Sequence, residues 1–139
     1  MSRAERLTIV TATLGMLHHV DHVLRFDHSG WPFRPDVSPF TFSLLVYPII
    51  AAILLLKNRP WARVVLALIL FLFATLAHIF LETPVDQYDT WAHRPDVNLP
   101  NVRSELLGWL AGVVTVALSA SALLTVIAYW KEARSNPRI

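Results

Sequence analysis

The sequence predicts an all-α integral membrane protein, a four-transmembrane-helix bundle made of two tandem α-hairpin repeats. Three observations carry this expectation. Of 139 residues, 55% are hydrophobic and only 16% charged, a balance that suits lipid better than water. Four apolar segments, at about 7–25, 40–56, 61–81 and 106–130, approach the roughly 20 residues of helix that cross a hydrocarbon core. The motif "WPFRPDV" at 31–37 returns as "WAHRPDV" at 91–97, an offset of 60 residues. The chain therefore reads as one transmembrane domain, 1–139, with repeat halves of about 1–60 and 61–139.

The first segment follows Arg3 and Arg6, as the core of a signal peptide would, but no small-residue cleavage site comes after it. It reads as an uncleaved helix that continues to about Arg25. The second segment carries Pro48, which predicts a bend. The third and fourth are bounded by the tryptophans expected at membrane interfaces. Within the fourth, Gly108 and Gly112 form a GxxxG pair followed by Ser119, Ala120 and Ser121, which lets another backbone approach closely. Such a stripe serves packing inside a small bundle or, alternatively, a homo-oligomer. The stretches 26–39 and 82–105 read as loops, with Ser38-Pro39 and Asn98 to Pro100 as helix-start signals.

Charge gives the orientation. The N-terminal tail, the linker "KNRPWAR" and the tail "KEARSNPRI" hold eight of the twelve Lys and Arg residues, which predicts that both termini are cytoplasmic. All six histidines and eight of the ten acidic residues then gather on or near the extracytoplasmic side. A net charge of +2, with no clustered basic surface, argues against a nucleic-acid partner. The absence of cysteine excludes disulfides and thiolate metal sites, so a metal would need His and carboxylate ligands.

The 60-residue offset also lays His18 on His78 and His22 on Glu82. At about 100° per residue, His18, Asp21, His22 and Arg25 share one helix face, with His19 turned away. If the first and third helices meet at a pseudo-two-fold axis along the membrane normal, His18, His22, His78 and Glu82 converge at the outer end of the bundle. That set, H-x3-H facing H-x3-E, suits a divalent transition metal: Zn, Fe, Mn or Cu. His19, Asp21, Asp86 or Asp89 would orient the ligands, and Arg25, Arg34, Arg94 and Arg103 would pair with acids or clamp an anionic group. Arg34 is expected to pair with Asp36 or Asp96. The bland alternatives are solvated interfacial histidines, a His78 hydrogen-bonded to Thr75, and a Glu82 at an exposed helix end.

Three classes of function fit these residues. The first is a metal-dependent membrane enzyme acting on a lipid-like or small amphipathic substrate, with Trp31, Trp91, Phe26, Phe33 and Tyr88 around its mouth. The second is an electron-transfer protein with haem held axially by His18 and His78. The third is a metal or proton transporter, or an accessory subunit, disfavoured because helices two and four lack an ionisable residue in the span. The phosphate-binding Gly-rich loop, the nucleophile elbow and H-E-x-x-H are all missing from the sequence.

Overall fold

The computed structural model describes residues 1–25, 39–93 and 101–135. Among them every regular element is helical: α1 Arg3–Arg25, a 3₁₀ helix Pro39–Leu45, α2 Val46–Leu55, α3 Pro60–Phe80, α4 Pro84–Ala92 and α5 Asn101–Ser135. The second copy of the repeated motif begins at Trp91, and its Arg94–Val97 portion, like all of 31–37, lies outside the described residues.

Local sequence explains where the helices begin. At α1, the Glu5 amide donates to Ser2 Oγ at 3.2 Å and the Ser2 amide to Glu5 Oε2 at 2.9 Å, a capping box that satisfies amides otherwise left without helical partners. Pro60 opens α3, where its missing N–H costs nothing. Pro48 does not bend a long second helix as expected. It sits in the first turn of a ten-residue α2 that follows the 3₁₀ segment, again where no amide is required.

The stretch from 82 contains a helix where the sequence predicted a loop. Thr83 caps α4, Pro84 occupies its first turn, and Asp86 completes a capping box. Thr83 accepts from the Asp86 amide at 3.2 Å, while Asp86 Oδ2 accepts from the Thr83 amide at 2.7 Å. The buried face of α4 is Gln87 and Trp91, one turn apart.

Among the described residues, two helices are long and apolar enough to cross a membrane: Pro60–Phe80 and, within α5, Arg103–Ser135. The apolar run through α2 covers only Phe42–Leu55. α1 has the length, but His18, His19, Asp21 and His22 interrupt its apolar character.

α5 is the central element, packed against α1, α3 and α4, while α2 lies on α3. Its buried positions include Ser104, Gly108, Ala111, Thr115, Leu118, Ala122, Thr125, Tyr129 and Ala133, spaced by threes and fours, with Ser121 beside Ala122. α1 answers with Ala4, Thr8, Thr11, Gly15, His18 and His22 in the same spacing. The two stripes run antiparallel: Thr8 Oγ1 lies 2.9 Å from Tyr129 Oη, Thr11 Oγ1 is 3.1 Å from Ser121 Oγ and 3.2 Å from Thr125 Oγ1, and Thr115 Oγ1 is 3.3 Å from His18 Nδ1. Small residues let the backbones approach, and hydroxyls join them. Large apolar side chains face outward instead, among them Leu106, Trp109, Val113 and Val116, each more than half exposed.

At the end of the bundle away from the histidines, buried Arg63 ties four helices together. Its Nε donates to the Ile53 carbonyl at 2.8 Å, and its Nη2 donates to Tyr129 Oη at 3.0 Å and Glu5 Oε1 at 3.3 Å. The guanidinium also lies 4.3 Å from the centre of the Tyr129 ring.

The GxxxG pair seats α4 on α5. A Cβ at Gly108 would stand 2.9 Å from the Tyr88 carbonyl, whereas at Gly112 it would stand 3.5 Å from that of Pro84. Gly108→Ala should therefore destabilise the protein by about 1–3 kcal/mol, the usual cost of overpacking, and Gly112→Ala by less. Thermal unfolding of the two variants in the same detergent checks the order.

Candidate metal centre

The histidine-bearing ends of α1 and α3 converge with the α3–α4 turn. His18, His22 and Glu82 are all buried, and one ligand atom from each lies within 4.8 Å of the others. His22 Nε2 is 2.9 Å from His18 Nε2 and 3.3 Å from Glu82 Oε2. The His78 ring stands edge-on to that of His18, with centroids 4.5 Å apart. The four ligands read from the sequence are thus neighbours, and three of them present atoms to one point.

Hydrogen bonds around the cluster fix where its protons reside. Thr115 donates its hydroxyl to Gln87 Oε1 at 2.7 Å, so toward His18 Nδ1, 3.3 Å away, it can only accept. His18 then carries its proton on Nδ1 and offers a lone pair at Nε2. His78 Nδ1 lies 3.2 Å from the Glu82 carbonyl oxygen. Gln87 Nε2 donates to Glu82 Oε2 at 3.2 Å and also lies 3.4 Å from His78 Nδ1. His22 Nε2 lies between His18 Nε2 and Glu82 Oε2.

The donor set has the chemistry to hold a cation in principle. Around a tetrahedral ion with metal–nitrogen distances of about 2.0–2.1 Å, neighbouring ligand atoms stand about 3.3 Å apart. The His22–Glu82 separation of 3.3 Å already has this value, and the 2.9 Å between the imidazoles needs to open by about 0.4 Å. Histidines that donate Nδ1–H to an oxygen and present Nε2 are the form that ligates metals.

Other residues named from the sequence are engaged elsewhere. His19 turns to α2, its Nδ1 2.6 Å from Tyr47 Oη. Asp21 accepts from the Trp91 indole at 2.8 Å, which docks α4 against α1. Asp86 caps α4, and Asp89 lies 3.3 Å from His93 on the exposed face. The Thr75 hydroxyl is not the partner of His78. The side chain of Arg25 and all of Phe26, Trp31, Phe33, Arg34, Asp36, Arg94 and Asp96 lie outside the described residues. The groups that do orient the cluster, Gln87 and Thr115, are absent from the sequence reading. A neutral amide and a hydroxyl carry no metal-site signature, and only the fold brings them together.

Comparison with protein-family models, with characterised proteins and with solved structures finds no match to this chain.

Two expectations follow from these contacts. Gln87→Leu removes the amide that joins Glu82, His78 and Thr115, and should cost about 1–3 kcal/mol, measurable by thermal unfolding. Hydrogen bonds from the Thr83 hydroxyl and amide hold the Asp86 carboxyl below its usual range. Its capping contribution is therefore complete above the unfolded value of about 3.9 and fades as pH falls through the lower folded value. Amide exchange in α4 should be faster at pH 3 than at pH 6 after correction for intrinsic rates, with a smaller acid effect in Asp86→Asn.

Proposed function

We propose that this chain is a small integral membrane protein that holds a divalent transition metal on His18, His22 and Glu82, with His78 as the fourth ligand, and acts as a metal-dependent enzyme on a lipid-like or small amphipathic substrate. The observation that carries the reading is the convergence of three buried ligand atoms within 4.8 Å. A metal there would supply a Lewis acid and lower the pKa of a bound water. The residues of the chain prepare the place: Thr115 holds the His18 imidazole in the ligating tautomer, and Gln87 steadies the carboxylate. Haem is less favoured, because the His18 and His78 rings are already in contact at 4.5 Å with no gap between them for a macrocycle.

The membrane reading extends to a four-span bundle with two hairpin repeats, both termini in the cytoplasm and the histidines on the outer side. It is supported by the outward-facing apolar surface and the inward-facing hydroxyls, the reverse of a water-soluble bundle. α1 and α3 both run antiparallel to α5, and His18 meets His78 at one depth, as tandem repeats of equal orientation require.

Protein purified in detergent without chelator should contain stoichiometric Zn, Fe, Mn or Cu by elemental analysis. His18→Ala, His22→Ala and Glu82→Ala should each weaken binding by about 10-fold or more, while exposed His93→Ala leaves it unchanged. Affinity should fall as pH is lowered, because each imidazole must be neutral to ligate. Unchanged metal content in all three ligand variants, or none in the wild type after incubation with each metal, would overturn the reading. A reporter fused after Ile139 should be active only as a cytoplasmic fusion, and periplasmic or extracellular activity would reverse the orientation.

A further inference from the structure

Directly beneath the histidine cluster, lined by α1, the 3₁₀ helix, α2, α3 and α5 and partly open to the outside, lies a cavity of about 90 Å³. Its roof is polar, formed by His18, His22 and His78. Ile50, Leu70, Ala74, Ala77 and Leu118 form apolar walls, and Thr11 with Gly15 closes the deep end. The Thr11 hydroxyl does not call for water, since it lies within hydrogen-bonding distance of the Leu7 carbonyl, Ser121 and Thr125. Gly15 is the residue that keeps the space open. A Cβ built there would meet only Leu118 Cδ1, at 3.9 Å, although Gly15 belongs to the closely packed seam between α1 and α5.

A void in a packed interior forfeits dispersion contacts for every atom that lines it. Apolar cavities of this order stay dry and take up small apolar molecules; one of about 150 Å³ in another protein binds benzene. Here the lining adds a direction, with hydrocarbon walls leading to a group of imidazoles.

We propose that this cavity binds the alkyl end of a short-chain amphipathic molecule, whose polar end reaches His18, His22 and Glu82. The assignment of the polar end rests on the metal reading, and that of the alkyl end on the cavity alone. Its length is limited by Thr11 and Gly15, so that the substrate's reactive atom sits within about one short alkyl chain of its terminus.

The test uses 1-butanol as the probe on full-length protein in detergent, with methyl NMR of Ile50, Leu70 and Leu118. Saturable shifts are expected for the wild type. They should be lost in Gly15→Leu, whose side chain would occupy the cavity, and in Ala74→Leu, which fills it from α3. Zinc binding, measured separately, should stay at the wild-type level in both variants. Shifts that rise linearly without saturating in the wild type, or that saturate equally in both folded variants, would overturn the cavity assignment. Wild-type protein that saturates with butanol but takes up no metal sinks the metal reading and leaves the alkyl site standing; metal uptake without butanol binding does the reverse.

Discussion

The close antiparallel contact between α1 and α5 is the constraint on which the remaining structure depends. It is possible because the facing stripes hold Ala, Gly, Ser and Thr at steps of three and four, so the backbones approach until hydroxyls bridge them. Tyr129 and Arg63 close one end of this seam, and His18 with Thr115 closes the other. Because α5 also receives α3 and α4, the position of every ligand in the cluster is referred to the same helix.

That arrangement explains why polar chemistry can sit inside so apolar a chain. Thr8, Thr11, Ser121 and Thr125 of the seam each have a carbonyl as partner, Thr8 on that of Ala4 and Thr125 on that of Ser121. Such pairing removes the penalty of burying oxygen away from water. The imidazoles follow the same rule through Gln87, Thr115 and the Glu82 carbonyl. What the hydroxyls do not fill, near Gly15, is left as apolar space.

Much of this was legible in the sequence. The long apolar runs announced α3 and α5, and the four-residue spacing of His18 with His22 and of His78 with Glu82 anticipated their meeting. α4 was hidden because its nine residues are too polar to read as a span, although Thr83, Pro84 and Asp86 spell a helix start. Pro48 was ambiguous because proline marks a kink inside a helix and a beginning at its first turn. The seam escaped notice for a deeper reason. Periodicity is ordinarily sought as an apolar stripe, whereas here the buried stripe of α5 is small and hydroxylated and the large apolar residues surround it. Gln87 and Thr115 needed tertiary structure to acquire meaning.

The pairing of the first helix with the last sets an order of events during biosynthesis. Thr8 and Tyr129 are 121 residues apart, so nearly the whole chain must be made before the hydroxyls of α1 find their partners. His18 likewise waits for Thr115, 97 residues later, to set its tautomer. Until then the imidazoles of α1 are a nascent polar segment without the carboxylate of Glu82 or the fold that buries it. A complete cluster is thus a property of the finished chain, and a ribosome stalled before α5 leaves behind a helix with histidines but no site.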